Sequence, residues 1–248
     1  MKRIQNTVKQ QGFSLVEMTI VLVILGFLLT ALLLPLQAQR NIAAQLTTES
    51  ILDDAKKALI GFAQTHGHLP CPATNNGSAS FPDGTGTAHA NDSGVCVVQV
   101  GFLPGKTLGL QTVDDQGYAL DAWHNRIRYA ITRANNDAFS KPTGVYEVGI
   151  TALTPDLKVC ATVSAAGCTN HMHLIDNAVA VVFALGATAN QVSGGADENQ
   201  NLTAPINTIF ISHPITASTS ANGEFDHMVT WLSPYVLYNA MIVAGQIH

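Results

Sequence analysis

The sequence predicts an α+β protein: a long N-terminal spine helix, transmembrane in its first half, packed on an antiparallel β-sheet head with long disulfide-held loops. Three observations carry this reading. Residues Met18–Gln39 hold no charged side chain. Apolar residues then recur at helical spacing as far as Phe62. Beyond Leu69, short β-rich runs alternate with stretches of Gly, Ser, Thr, Asn, Asp and Pro, and all four cysteines lie in this part.

Charge and composition narrow the function classes. The chain has 248 residues, 47% of them hydrophobic and only 12% charged, about half the usual charged share. That balance excludes a disordered regulator, and the length suffices for one domain with a sizeable core. The first 12 residues hold Lys2, Arg3 and Lys9 with no acid, so they carry +3, while the remainder carries −8. An acidic body offers no basic face for nucleic acid.

The charge-free run is long enough for a bilayer, which needs about 20 apolar residues, and Phe13–Leu15 extend it backwards. In lipid it must be helical to satisfy its own backbone. The basic leader sets the N-terminus in the cytoplasm and the rest beyond the inner membrane. A cleaved secretory signal would need a small-x-small site after the run, and Leu36-Gln37-Ala38 is a poor one. Glu17 breaks the apolar pattern. A carboxylate there costs a few kcal/mol on insertion scales, so it is either hydrated at the interface or meets a cation from another subunit.

Lys9-Gln10-Gln11-Gly12 followed by Phe13-Ser14-Leu15-Val16-Glu17-Met18-Thr19-Ile20-Val21-Leu22 resembles the prepilin signal of type IV pilins and type II secretion pseudopilins. The resemblance covers about the first 40 residues. It implies cleavage between Gly12 and Phe13 by a prepilin peptidase that also methylates the new amine of Phe13. It implies too that Glu17, fifth from the cut, is the assembly glutamate. Physically, Glu17 of one subunit would neutralise the Phe13 amine of its neighbour, turning two costly charges into one pair. The domain expectation is a removed leader at 1–12, a transmembrane and polymerisation helix at 13–38, and a periplasmic or extracellular head at 39–248. The partners implied are other pilin or pseudopilin subunits, the peptidase and the membrane, with no nucleic acid.

Pro35 falls where many pilins kink, because proline lacks an N–H and loosens a helix. Past Arg40 the helix resumes: Ile42, Leu46, Leu52, Ala55, Leu59 and Phe62 keep its spacing, and Asp53 and Lys57 form a favourably oriented i,i+4 pair. Gly67 and Pro70 end it. Residues 72–94 and 186–204 read as long loops. Strands are expected at Val95–Val100, Ile127–Thr132, Val145–Ala152, Val179–Leu185 and Thr208–Ser212, and helices at Phe225–Trp231 and Tyr235–Ala244. Asp121-Ala122-Trp123-His124-Asn125-Arg126-Ile127-Arg128-Tyr129 is similar to the Asp-x-Trp-Gly-Asn-Pro-x-x-Tyr segment of pseudopilins, with His124 and Arg126 in place of the glycine and the proline. The tail Glu224–Pro234 is similar to those of some larger prepilin-like proteins. Trp123 and Trp231 read as core or rim aromatics.

Four cysteines outside the cytoplasm imply two disulfides. Of three connectivities, Cys71–Cys96 and Cys160–Cys168 each close a local Gly-rich loop. No zinc spacing is present. His66-Gly67-His68 and His171-Met172-His173 invite a metal but lack an acid at a characteristic distance. Gly84-Thr85-Gly86 lacks the third glycine of a dinucleotide loop, and no nucleophile elbow occurs. No catalytic residue and no cofactor is expected. Calcium is the one ion to weigh, at Asp114-Asp115 or Asp197-Glu198-Asn199, whose oxygens suit it without an EF-hand pattern. The functional expectation is a structural subunit, minor or tip-proximal because the head is large. The alternative is a monomeric membrane-anchored binding protein or adhesin whose loops at 72–94 and 186–204 do the binding.

Overall fold

The computed structural model describes residues 14–74, 88, 90–91, 94–162, 168, 173–189, 194–202 and 208–247, without the side chains of 31–38. Two compact units emerge, Met1–Ala43 and Ala44–His248. One helix, α1 (Leu15–His66), runs through both and continues past position 35.

In the first unit the described side chains of α1 from Leu15 to Leu29 are exposed on every side and, apart from Glu17 and Thr19, apolar. A helix apolar all round suits lipid or a packed bundle, not water. Among the described residues no helix is long and apolar enough to cross a membrane. The described apolar run stops at Thr30, and the side chains of 31–38 in the expected span lie outside it.

In the second unit α1 buries Thr48, Leu52, Ala55, Leu59 and Ala63, a stripe of i+3 and i+4 steps that fits one helix face. Ile42 and Leu46, expected on that stripe, are exposed, and Phe62 is half-buried. The lysine pairing holds, with Lys57 Nζ 2.6 Å from Asp53. The α1 stripe packs into the main core with Leu103, Ile127, Tyr129, Val182, Leu232 and Met241.

The remaining elements are β1 (Val100–Phe102), α2 (Gly105–Leu108), β2 (Arg128–Ile131), α3 (Ala134–Asp137), α4 (Gly144–Val148), β3 (Leu157–Cys160), β4 (His173–Ala178), β5 (Ala180–Ala184), α5 (Ala196–Leu202), β6 (Ile209–Ile211), β7 (Met228–Leu232) and α6 (Pro234–Val243). Four strands form an antiparallel sheet in the order β1-β2-β5-β7. One face of it joins α1, through Tyr129, Val182 and Leu232. The other packs Val100, Ala130, Val181 and Phe183 against Leu157, Val159 and Phe210 of a second sheet. That sheet, β4-β3-β6, is mixed, because β3 and β6 run parallel. The single antiparallel sheet expected from sequence is thus two stacked sheets, each burying the other's apolar side.

Four local expectations are overturned. Val95–Val100 contributes only Val100 to a strand, the run before it being held at Cys96 by the disulfide and an isolated bridge to Ala90. Val145–Ala152 is not a strand: alternation would set Glu147 on the same face as buried Val145, whereas the one-turn helix α4 leaves Tyr146 and Glu147 outside and lets Thr143 Oγ1 donate to Glu147 at 2.7 Å. Phe225–Trp231 is not a helix. Its Met-Val-Thr-Trp end forms strand β7 together with Leu232, Met228 packing toward one core and Val229 and Trp231 toward the other, as period-two alternation requires. The 186–204 loop contains α5, whose Asp197, Glu198 and Asn201 are buried polar side chains.

Candidate functional site

At the start of α1, Ser14 and Glu17 form a reciprocal cap. Ser14 Oγ accepts the Val16 N–H at 3.3 Å, and Glu17 Oε2 accepts the Ser14 N–H at 3.3 Å. This is a capping box, in which the side chains at the two ends of the first turn satisfy amides the helix leaves open. The acid at the positive end of the helix dipole adds to the effect. Gly12 and Phe13, the expected cleavage pair, lie outside the described residues.

The segment similar to a pseudopilin turn is built around buried Asp121. Its Oδ1 accepts the N–H groups of Trp123 at 2.9 Å and Asn125 at 2.8 Å, and Asn125 Nδ2 donates to the Gly186 carbonyl at 2.8 Å. Burial pushes the Asp121 carboxyl above its ordinary range, opposed by those hydrogen bonds. Tyr129, fully buried, donates its hydroxyl to the Pro70 carbonyl at 3.0 Å. His124, standing for the glycine, has φ +65°. The turn therefore keeps a left-handed geometry that costs an L-residue roughly 1–2 kcal/mol. His124→Gly is expected to raise stability by about 1 kcal/mol and the melting midpoint by about 2–4 °C, measurable by circular dichroism. Trp123 and Trp231 are partly buried rim aromatics.

Among the described histidines, those of the first pair are engaged with an aromatic ring. His66 stacks on Phe62 at 3.9 Å between centroids, and His68 meets the same ring edge-on at 5.6 Å. His173 Nε2 lies 3.1 Å from the Cys168 carbonyl, while His171 and Gly84–Gly86 lie outside the described residues. Cys71–Cys96 and Cys160–Cys168 are both disulfide-bonded. Asp114 is committed to its own loop. It accepts the N–H groups of Gln116 and Tyr118 and bonds Arg126 at 2.8 Å, whose guanidinium stacks on Tyr118 at 3.9 Å.

The densest polar chemistry lies where α5 meets the segment before β7. Asp197 accepts from Thr162 Oγ1 at 3.0 Å and Asn222 Nδ2 at 3.0 Å, and His213 Nε2 stands 3.4 Å away. Its neighbour Glu198 turns to another partner, accepting the Asp226 N–H at 2.8 Å. Asp226 Oδ2 accepts the Thr188 N–H at 2.8 Å, but its buried Oδ1 has no partner. Oxygens of Glu198 and Asp226 and a ring nitrogen of His227 lie within 4.8 Å of one another, all three residues buried. The backbone closes over the two acids at glycines: a Cβ on Gly186 (φ +68°) would stand 2.5 Å from Asp226 Cγ, and one on Gly194 would strike Glu198.

Hydrogen bonding decides what this trio can hold. Asn201 is clamped to β6, its Oδ1 accepting the Ile211 N–H at 2.7 Å and its Nδ2 donating to the Ile211 carbonyl at 3.0 Å. That fixes the amide orientation. The remaining amide hydrogen points at His227 Nδ1, 3.2 Å away, so Nδ1 accepts and the neutral ring carries its proton on Nε2. A nitrogen that keeps its proton is a donor, not a metal ligand. The trio reduces to two facing carboxyls, which share a proton more readily than both ionise. In keeping with this, burial, aided by the charges of Asp226 and Glu224, raises Glu198 to about 7. Burial lowers His227 to about 4, against the pull of Asp226. Asp226, His227 and Asn201 escaped the sequence reading. Their one signal is an Asp-His pair directly ahead of a final 21 residues that hold no acid and no Lys or Arg.

No curated protein and no solved structure is significantly similar to the chain. A family model described as the prokaryotic N-terminal methylation motif matches residues 8–33. It spans the basic leader end, Gly12-Phe13, the Ser14–Glu17 cap and most of the apolar run. The chain carries a prepilin-like signal at its N-terminus.

Proposed function

We propose that this protein is a structural subunit of a type IV pilus or type II secretion pseudopilus, not an enzyme. It enters the inner membrane through residues 13–38, is cut after Gly12, is methylated on Phe13 and then joins a filament in a minor or tip-proximal place. The single observation behind this is the methylation motif at residues 8–33. The size of the head supports the minor place: cleavage leaves 236 of the 248 residues, and so bulky a unit crowds a tightly repeating shaft.

The test is intact mass and N-terminal sequencing of protein from its native membrane. A chain beginning at methylated Phe13 supports the reading; one beginning at Met1 favours the monomeric anchor or adhesin. The capping box gives that second reading a specific observation, since Glu17 already has a partner within its own helix. Two variants separate the roles. Glu17→Gln keeps a hydrogen-bond acceptor for the Ser14 N–H and so preserves the cap, but cannot neutralise an amine. It is expected to lower filament incorporation at least tenfold, as Glu17→Ala does. If Glu17→Gln assembles normally and Glu17→Ala does not, Glu17 is a cap rather than an intersubunit charge.

A further inference from the structure

A groove of about 570 Å³ lies within the second unit, walled by Glu49 and Asp53 of α1, by His213 and Ile215, and by His227 and Thr230. One wall is the start of β7, the outermost strand of its sheet. Strand β7 pairs with β5 on one side only. Among the described residues its outward N–H and C=O groups have no partner. Free edges are normally blunted by lysine, proline, inward charges or a bulge. Met228–Leu232 contains no charged residue and no proline, and its register with β5 runs without a break. An unprotected edge beside a groove of this size is a place where an extended segment adds as a further strand.

Charge selects the occupant. The acids lining the groove are Glu49 and Asp53, and no Lys or Arg lines it. Asp53 is paired with Lys57, whereas Glu49 is exposed and makes no hydrogen bond or ion pair among the described residues. A basic side chain on an incoming strand would meet Glu49 without displacing an existing partner. Among the described residues a second copy of this chain offers no such strand. Its edge strands β1, β4, β6 and β7 contain no Lys or Arg. We propose that the groove receives an extended, basic segment of a different protein, added as a strand along β7 with its Lys or Arg facing Glu49.

The probe is a fluorescein-labelled five-residue peptide alternating valine and lysine, about 17 Å long when extended, titrated by fluorescence anisotropy against the full chain in detergent micelles. Saturable binding is expected. Glu49→Gln, a change at an exposed position, is expected to weaken it about fivefold. Methylating alternate backbone nitrogens of the peptide is expected to abolish it, because strand addition runs through those N–H groups. Four results overturn the proposal: no saturable binding up to millimolar peptide, equal binding of the methylated peptide, equal binding of a valine–glutamate version, or a dimer by sedimentation that Glu49→Gln dissociates. None of these bears on Phe13 methylation, so this inference and the filament role fail separately.

Discussion

Glu198→Gln is expected to convert a stability that is nearly flat between pH 4.5 and 6.5 into one that falls steeply on acidification. Two buried groups set the flat window. Glu198 rises from 4.5 to about 7 on folding. A raised carboxyl stabilises the fold through its bound proton, so its contribution is complete below 4.5 and is lost as pH rises through 7. His227 falls from 6.5 to about 4. Its neutral ring contributes fully above 6.5, and that contribution is lost as pH falls through 4. Between the two unfolded-state values each state holds one proton. The unfolded chain carries it on the imidazole, the folded chain on the carboxyl. With equal proton counts the slope of stability against pH is zero.

Single variants expose the hidden slopes. Glu198→Gln keeps an acceptor for the Asp226 N–H and adds a donor toward the unpartnered Asp226 Oδ1, so it mimics the protonated acid. What remains is the His227 term, and stability is expected to drop by about 2–3 kcal/mol from pH 6.5 to 4. His227→Gln leaves the Glu198 term, with a similar loss from pH 4.5 to 7. Urea unfolding of the full chain in micelles across this range, followed by near-ultraviolet circular dichroism, measures both. Variants that run parallel to the parent would show that no proton relocates on folding.

Legibility from sequence tracked how local the determining physics is. The helical stripe of Leu52, Ala55 and Leu59 needs only a period, and the prepilin-like signal is a contiguous string. Strands β2, β5 and β6 are short runs of β-branched and aromatic residues and were also readable. Val145–Val148 shares that composition yet turns into α4, because burying Val145 while exposing Tyr146 and Glu147 suits a helical turn. Ile42 and Leu46 continue the spacing of the stripe, but periodicity does not say where the covering head ends. The acid pair was least visible. Glu198 and Asp226 are 28 residues apart, and it is tertiary structure that brings them together, with Gly186 and Gly194 packed closely over them. Asp197, the acid beside Glu198, was readable as an oxygen donor, but its commitment to Thr162 and Asn222 depends on tertiary structure.

Removing the Cys71–Cys96 disulfide by double alanine substitution is expected to cost more than removing Cys160–Cys168. The first bridge spans a sequence separation of 25 and the second one of 8. On the chain-entropy account these contribute about 3.5 and about 2.5 kcal/mol. At about 2–4 °C per kcal/mol for a chain of this size, the first variant melts roughly 10 °C below the parent. Packing adds a cost to both, the larger for the first bridge: Cys160 is also fully buried, in a small cluster with Ile211 and Phe225, but Cys168 is only partly buried. Cys71 and Cys96 sit at 3% and 1% exposure inside the main core beside Leu69 and Leu103, so their loss also leaves a cavity. Cys160 is held independently as part of the middle strand β3, where its carbonyl accepts the Ser212 N–H at 2.8 Å. Beyond Cys71 the described chain is fastened by the bridge of Ala73 to Phe102, through hydrogen bonds of 2.9 and 2.8 Å, by the Tyr118 hydroxyl donating to the Thr74 carbonyl, and by the Ala88 N–H donating to Thr107 Oγ1 at 2.8 Å. A melting order with Cys160/Cys168 as the worse loss would mean that strain or residual structure, not loop closure, governs these bonds. The expected order places the first disulfide where the polar stretch that follows Cys71 meets the core that the α1 stripe helps to form.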